Sequence, residues 1–214
     1  MAIYMMLEAV IFDHDGVMVD TEPLQSQAWV KMLEKCGETP KLYANGLVHK
    51  VGITINENWD MLKMNYGITE DTKCLEEQRG KTYIDLLYQA QPMAGLPALL
   101  SSLREERRNR RLGMAIASSS NREYIEIVVG NFGYIDDFDV IISGRSVTSG
   151  KPAPDIYKKT VLEDSGAGVE AAKAARMKVI AIPNRYTEEQ DFSNADIVVP
   201  SLKSVDLHLI NSCL

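Results

Sequence analysis

A short apolar run that ends in two aspartates constrains the fold of this chain more than any other segment. Residues Ala9 to Phe12 are apolar, and the sequence Asp13-His-Asp-Gly16 follows them directly. The run predicts a buried strand, in which residues i and i+2 face the same side. Asp13 and Asp15 are therefore expected on one side of the chain, at the carboxyl end of a strand. In open α/β sheets this end borders the crevice in which ligands bind.

Two carboxylates held this close together predict a metal site. They repel each other strongly unless a cation lies between them, and hard oxygen ligands in a phosphate-handling site favour Mg²⁺. One carboxylate can then attack as a nucleophile while the other transfers protons. The alternatives are a solvated turn and a calcium loop. A calcium loop would continue with further oxygen ligands, whereas Val17, Met18 and Val19 follow here.

The bulk properties of the chain exclude several classes of partner. A length of 214 residues suits one large α/β domain or a domain with a smaller insert. The net charge of −7 argues against nucleic acid or an anionic membrane as the main partner. The three cysteines match no disulfide framework and no metal spacing, which indicates a reducing compartment. We expect a cytoplasmic monomer with no signal peptide and no membrane-spanning segment.

Hydrophobic periodicity divides the chain into a helical insert and an α/β core. Between residues 21 and 91 apolar residues recur at helical spacing without a strand pattern, which predicts an α-helical cap domain. Residues 1–20 and 92–214 are expected to form the core, a doubly wound, Rossmann-like parallel sheet, because strands and helices alternate there. The predicted strands are 9–12, 112–117, 139–143, 161–163, 178–182 and 196–199, and the predicted helices are 96–111, 123–130 and 168–176.

The helix predicted for residues 96–111 is rich in arginine. It also contains Glu105 and Glu106. We therefore expect ion pairs between residues four apart on a solvated helix face rather than an anion-binding patch.

Ser118 stands at the end of the second predicted strand, in the sequence Ser118-Ser-Ser-Asn121. A hydroxyl group at this position can donate to a phosphate oxygen, assisted by the backbone N–H groups that open the next helix. Either Ser120 or Asn121 is expected to cap that helix.

Two later segments extend the same pattern. Lys151 stands in a loop stiffened by Pro152 and Pro154, and a lysine held in such a loop is best explained by a fixed anionic target. Glu163 and Asp164 end another short apolar strand ahead of small residues. A capping role is the alternative for Asp164, but two acids at a strand end more readily complete the metal shell.

The order of these residues resembles the haloacid dehalogenase superfamily of phosphohydrolases. The segment Phe12-Asp-His-Asp-Gly-Val-Met-Val-Asp-Thr-Glu-Pro23 is similar to the first motif of that superfamily. Ser118, Lys151 and the pair Glu163–Asp164 are similar to the second, third and fourth motifs. The insert after the first motif resembles the cap of the subfamily that contains β-phosphoglucomutase and sugar-phosphate phosphatases.

The resemblance implies a role for each matching residue. Asp13 is the nucleophile that becomes aspartyl-phosphate, and Asp15 is the general acid and base. The implied cofactor is Mg²⁺, held by Asp13, Asp164 and the backbone carbonyl of Asp15, with Glu163 in support. Phosphoryl oxygens are assigned to Ser118 and Lys151. Contacts with the rest of the substrate are assigned to Thr21, Lys50, Ser119 and Asn121.

The expected substrate is a small phosphorylated metabolite, and a sugar phosphate is favoured. A phosphosugar mutase is an alternative activity. Mutases of the β-phosphoglucomutase type carry an arginine for the second phosphate at the position of Ile55, and Lys50 is the candidate to replace it. Dehalogenase activity is disfavoured because dehalogenases of this fold lack the aspartate that Asp15 supplies. A catalytically silent binding protein is the third alternative.

The segment between the third and fourth motifs is shorter than the resemblance implies. With residues 144–154 as loop, only residues 155–160 remain for a crossover helix, and six helical residues span about 9 Å against ~17–20 Å for a strand. We expect either a chain break between Thr160 and Val161 or a real deletion that places the positions of Glu163 and Asp164 in doubt. Arg176 also stands where the family has glycine.

Overall fold

A six-stranded parallel sheet with helices on both faces forms the core of the protein. The computed structural model describes residues 8–51, 53, 55–109, 112–143 and 159–213. The strand order is β3-β2-β1-β4-β5-β6, which confirms the predicted doubly wound α/β sheet. The strands are β1 (Ala9–Phe12), β2 (Gly113–Ser118), β3 (Val140–Ser143), β4 (Lys159–Glu163), β5 (Lys178–Ala181) and β6 (Ile197–Val198).

The chain folds into two compact units. The first comprises Met1–Asp20 and Gln91–Leu214, and the second comprises Thr21–Ala90. Helices α1 (Glu22–Lys35), α2 (Ile55–Tyr66) and α3 (Thr72–Leu87) belong to the second unit. Helices α4 (Leu96–Asn109), α5 (Arg122–Asn131), α6 (Gly166–Ala174) and α7 (Leu207–Ser212) belong to the first. Among the described residues, no helix is both long and apolar enough to span a membrane.

Alternating side chains of the central strands enter different hydrophobic clusters. Val10 and Phe12 of β1 are fully buried in a cluster that includes residues of α4, α5 and α7. Ile11, between them, packs instead against a cluster that contains Val169 and Ala172 of α6. This alternation follows from the two-residue period of a strand. The polar residues follow at the carboxyl ends of the strands.

The second unit has a hydrophobic core of its own. Trp29 of α1 packs edge-on against Trp59 of α2, with ring centroids 4.5 Å apart. Met32, Leu33 and Leu62 complete the centre of this cluster. The helical periodicity of the insert therefore reflects a buried face that its own helices share.

The expected chain break between Thr160 and Val161 is wrong. Strand β4 runs continuously through both residues, which pair with Val10 and Ile11 of β1. Lys159 and Thr160 are consequently strand residues rather than helix residues. Residues 144–158 lie outside the described residues, but an extended segment of that length can reach about 50 Å. A crossover helix is therefore not needed to return the chain to the start of β4, because an extended connection is long enough.

The arginines of α4 pair differently from the prediction. Arg104 makes a two-pronged contact with Asp137, with nitrogen–oxygen distances of 2.6 and 2.5 Å. Arg107 pairs with Asp139. Both aspartates lie in the segment that leads into β3. The predicted pairing of these two arginines within the helix is therefore wrong, and they connect α4 to the next part of the sheet.

Candidate active site

The predicted site residues meet at the carboxyl ends of the central strands. Phe12 of β1 is in register with Ile116 of β2 and with Leu162 of β4. Asp13 continues the ladder, because its backbone N–H donates to the carbonyl oxygen of Leu162 at 2.9 Å. Chain order reverses on either side of β1, and this is where open α/β sheets form their ligand crevice.

Three buried carboxylates converge at this point. Candidate ligand oxygens of Asp13, Glu163 and Asp164 all lie within 4.8 Å of one another. The side chains are only 9%, 3% and 7% exposed, respectively. Burial, followed by the negative charge of Glu163, raises the pKa of Asp164 to about 8. Like charges at this spacing in a poorly hydrated site require either a proton or a cation.

Glu163 is held by the start of the helix that follows it. Its Oε2 atom accepts hydrogen bonds from the backbone N–H groups of Asp164 at 2.7 Å and Ser165 at 3.0 Å. A Cβ atom at Gly168 would lie 1.5 Å from the other carboxylate oxygen of Glu163. The absence of a side chain at Gly168 therefore makes room for this carboxylate at the N-terminus of α6, where the helix dipole favours it.

Gly16 is required on two independent grounds. Its φ of +84° lies in the left-handed region that favours glycine. A Cβ atom there would also lie 2.0 Å from Oδ2 of Asp164 and 2.9 Å from Nδ2 of Asn184. The missing side chain of Gly16 therefore leaves space for a site carboxylate.

Asn184 is a site residue that the sequence analysis missed. Its Nδ2 group donates to Oδ2 of Asp164 at 2.6 Å. Its Oδ1 atom accepts from the backbone N–H of Tyr186 at 2.8 Å, which determines the orientation of the amide. Asn184 follows the end of β5, so the strand-end rule used for the other motifs could have found it.

Asp15 is oriented by hydroxyl groups from β2 and the turn that follows it. Its Oδ2 atom accepts hydrogen bonds from Ser118 at 3.1 Å and from Ser120 at 2.6 Å. Ser120 is in turn held by buried Ser143, whose hydroxyl donates to the carbonyl oxygen of Ser120 at 2.6 Å. Ser118 was predicted, whereas Ser120 was expected only as a helix cap. Ser120 is thus a second residue whose role the sequence analysis missed.

His14 lies between the two catalytic candidates and is only 1% exposed. Its Nδ1 atom is 3.3 Å from Oδ1 of Asp15. That contact lacks the alignment of a hydrogen bond, so both ring nitrogens are without a hydrogen-bond partner in the described part of the chain.

Five further residues were predicted to contact the substrate: Ser119, Asn121, Thr21, Lys50 and Lys151. Ser119 is exposed beside Ser118, and Asn121 is the N-cap residue of α5 without a side-chain capping bond. Thr21, which is fully buried, and Lys50, which is exposed, belong to the second unit. Lys151 lies outside the described residues.

The donor set fits the predicted Mg²⁺ ion. The candidate ligands are carboxylate oxygens, which Mg²⁺ prefers over nitrogen and sulfur. The raised pKa of Asp164 also fits a cation site. Burial and repulsion by Glu163 favour the protonated form of Asp164, and a bound cation would offset both effects.

A family comparison agrees with this geometry. The model of the family described as haloacid dehalogenase-like hydrolase matches residues 10–182. The match begins in β1 and ends directly after β5, so it includes every strand that contributes to the carboxylate cluster. The chain belongs to the haloacid dehalogenase-like hydrolase family.

Two curated relatives align with most of the chain. The phosphorylated carbohydrates phosphatase of Thermotoga maritima is 32% identical over 191 residues, which cover 81% of this chain and 84% of the relative. Protein CbbY of Rhodobacter capsulatus is 29% identical over 221 residues, covering 94% of this chain and 96% of the relative. The second alignment is longer than the 214 residues of this chain, so CbbY contains residues that this chain lacks.

A solved structure shares the fold. The crystal structure of CbbY from Rhodobacter sphaeroides in complex with phosphate superimposes with a TM-score of 0.77 at 23% identity. The superposition covers 96% of this chain and 100% of that one. The fold of this chain, including the insert, is therefore found in a protein of known structure.

Proposed function

We propose that this protein is a Mg²⁺-dependent phosphatase of small phosphorylated metabolites, with sugar phosphates as its main substrates. The observation that carries the proposal is the convergence of Asp13, Glu163 and Asp164 within 4.8 Å, beside Asp15 at the same strand end. The similarity to a phosphorylated carbohydrates phosphatase supports the same substrate class.

In the proposed reaction Asp13 attacks the phosphorus atom of the substrate. The bond from phosphorus to the leaving oxygen breaks, and Asp15 donates a proton to that oxygen. Asp15 then accepts a proton from the water that attacks the aspartyl-phosphate, which releases phosphate and restores Asp13. The hydrogen bond from Ser120 holds the Asp15 carboxylate in one orientation for both transfers, while the Ser118 hydroxyl is proposed to turn from Asp15 to the substrate.

The other site residues are proposed to stabilise the negative charge of the phosphoryl group. Ser118 and Lys151 are proposed to contact the phosphoryl oxygens. Mg²⁺, held by Asp13, Asp164 and the backbone carbonyl of Asp15 with Glu163 in support, would neutralise part of the negative charge that accumulates on the phosphoryl group. Asn184 keeps the Asp164 carboxylate directed into this cluster.

The substrate is proposed to be small because a helical insert separates the first and second motifs. We propose that residues 21–91 act as a cap that restricts access and excludes water during the reaction. A folded phosphoprotein should consequently be a much poorer substrate than a hexose phosphate. The cytoplasm is the proposed location, since Cys36, Cys74 and Cys213 are all free thiols.

The proposal is tested by measuring phosphate release from 4-nitrophenyl phosphate and from a panel of sugar phosphates, with Mg²⁺ and with excess EDTA. We expect turnover that requires Mg²⁺ and that favours the sugar phosphates. Full activity in EDTA would contradict the metal assignment. Conversion of β-glucose 1-phosphate to glucose 6-phosphate without release of phosphate would instead indicate the mutase.

A further inference from the structure

Two buried serines from neighbouring strands hold the turn between β2 and α5. Ser118 ends β2 and Ser143 ends β3, and the two residues are paired in the parallel ladder. They are only 3% and 2% exposed, respectively. Hydroxyl groups buried to this extent are expected to have hydrogen-bond partners. Both hydroxyl groups contact the same residue of the turn, Ser120.

Ser120 is bonded through each of its three polar groups. Its backbone N–H donates to the hydroxyl oxygen of Ser118 at 3.0 Å, and its carbonyl oxygen accepts from the hydroxyl of Ser143 at 2.6 Å. Its own hydroxyl donates to Oδ2 of Asp15 at 2.6 Å. The backbone of Ser120 is therefore held from both sides, and this determines the direction in which its hydroxyl points.

The hydroxyl of Ser118 has a second task in the proposed reaction. It has one proton, which it donates to Oδ2 of Asp15 at 3.1 Å in the structure, and this proton is proposed to turn to a phosphoryl oxygen. The oxygen atom of Ser118 can still accept from the N–H of Ser120, because a hydroxyl oxygen has two lone pairs. Of the two serine hydroxyl groups, Ser120 then continues to donate to Asp15, and the bond from Ser143 is unaffected.

We propose that Ser143 is a positioning residue for the general acid and base Asp15, and that it acts through Ser120. This inference rests on the proposed phosphatase function. In that reaction the bond from phosphorus to the leaving oxygen breaks, its electron pair stays on that oxygen, and Asp15 supplies the proton. Without the Ser143 hydroxyl, Ser120 is held from one side only, so Asp15 is less well oriented for this transfer.

The need for the proton depends on the leaving oxygen. Phenolate is a poor leaving group that requires a proton, whereas 2,4-dinitrophenolate leaves readily without one. A poorly oriented Asp15 should therefore slow the reaction of phenyl phosphate more than that of 2,4-dinitrophenyl phosphate. A general loss of structure would slow both. The ratio of the two kcat/KM values, which covers the steps up to the aspartyl-phosphate, thus separates positioning from a purely structural role.

The test measures kcat/KM of the full chain with Mg²⁺ for phenyl phosphate, 4-nitrophenyl phosphate and 2,4-dinitrophenyl phosphate. The variants are Ser143→Ala, Ser143→Cys, Ser120→Ala and the double variant of Ser120→Ala with Ser143→Ala. Thr160→Val is the control, because it removes a hydroxyl from a fully buried position of β4. The Oγ1 atom of Thr160 has no hydrogen-bond partner in the described part of the chain.

Ser143→Ala should lower kcat/KM for phenyl phosphate about fivefold more than for 2,4-dinitrophenyl phosphate, with 4-nitrophenyl phosphate between them. Ser143→Cys should shift this ratio in the same direction, since a thiol is a weak donor. Ser120→Ala should shift it about tenfold, because it removes the bond to the carboxylate itself. The double variant should match Ser120→Ala, since Ser143 acts through Ser120. Thr160→Val should keep the wild-type ratio.

A wild-type ratio in either Ser143 variant would overturn the inference and leave the phosphatase assignment intact. So would effects of the two alanine substitutions that multiply in the double variant, or a shift in Thr160→Val as large as in Ser143→Ala. Ser143→Cys leaves no cavity, so the result does not depend on whether Ser143→Ala folds. A wild type that releases phosphate from none of the three substrates would overturn the proposed function itself.

Discussion

At the scale of single residues, Gly16 connects backbone conformation with the chemistry of the site. Gly16→Ala should abolish Mg²⁺ binding and phosphatase activity, because the new Cβ would lie 2.0 Å from Oδ2 of Asp164. Gly46→Ala is the matched control, since Gly46 has a φ of +80° and no atom within 4 Å of its hypothetical Cβ. That control should lose only about 1–2 kcal/mol of stability and keep its activity. Equal effects of the two substitutions would mean that the crowding at Gly16 has no functional consequence.

Asn184 is a second residue whose replacement should affect Mg²⁺ binding without unfolding the protein. Asn184→Ala should weaken Mg²⁺ binding about tenfold, because Asp164 loses the charge-assisted hydrogen bond that orients it. Titration calorimetry with Mg²⁺ measures this directly, without reference to turnover. Asn194→Ala serves as the control, since Asn194 makes an equally short bond to Glu170 on the exposed surface. Unchanged Mg²⁺ affinity in Asn184→Ala would mean that Asn184 stabilises only the turn that it forms with Tyr186.

At the scale of elements, the end of α6 contains a strained residue. Arg176 has a φ of +57°, a conformation that suits glycine, and its backbone N–H donates to the carbonyl oxygen of Lys173 at 2.8 Å. A glycine, which the family resemblance implies at this position, would adopt this φ without strain. Arg176→Gly should raise the free energy of unfolding by about 1 kcal/mol, measured by urea denaturation. Arg176→Ala retains a Cβ atom, and a similar gain there would contradict the explanation.

The junction between β4 and α6 should make Mg²⁺ binding depend on pH. The pKa of Asp164 is raised from an ordinary value of 3.8 to about 8, chiefly by burial. Since Mg²⁺ requires the carboxylate, its affinity should increase as the pH rises toward about 8 and then level off. Calorimetry across this range should also detect release of a proton on binding at neutral pH. Affinity that is the same at about pH 6 and about pH 8 would contradict the raised pKa of Asp164.

Mg²⁺ affinity should increase with pH, but the stability of the metal-free protein should decrease, for the same reason. The folded state keeps a proton on Asp164 at pH values where the unfolded chain has lost it. The stability contributed by this group is therefore present at low pH and falls as the pH rises from about 4 to about 8. Saturating Mg²⁺ should remove most of this loss.

For the molecule as a whole, local sequence patterns were sufficient to predict the strands of the sheet and most residues of the carboxylate cluster. Alternation of apolar runs and helical segments predicted all six strands within about two residues. The rule that ligands bind at strand ends then brought Asp13, Asp15, Ser118 and Asp164 together from the sequence alone. These predictions succeeded because each depends on a short segment and on the parallel direction of the strands.

The contacts that were missed depend on pairs far apart in the chain. Ser120 reaches Asp15, and Asn184 reaches Asp164, only because β2 and β5 lie on particular sides of β1 and β4. The pairing of Arg104 with Asp137 has the same origin. The predicted chain break was wrong for a different reason. The prediction assumed that a helix as long as a strand must connect β3 to β4, but an extended connection can cover the same distance. The alignment with CbbY still fits a real deletion, but Glu163 and Asp164 retain their positions in the cluster.

The central claim is that Asp13 forms the covalent intermediate, and replacement by its neutral isostere tests it most directly. Asp13→Asn preserves the shape of the side chain and removes the attacking oxygen, so the fold should persist, as judged by circular dichroism and thermal unfolding. Phosphate release from the best sugar phosphate should fall below about a thousandth of the wild-type kcat, equivalent to roughly 4 kcal/mol of activation free energy. A folded Asp13→Asn protein that retains more activity than this would contradict the assignment of Asp13 as the nucleophile.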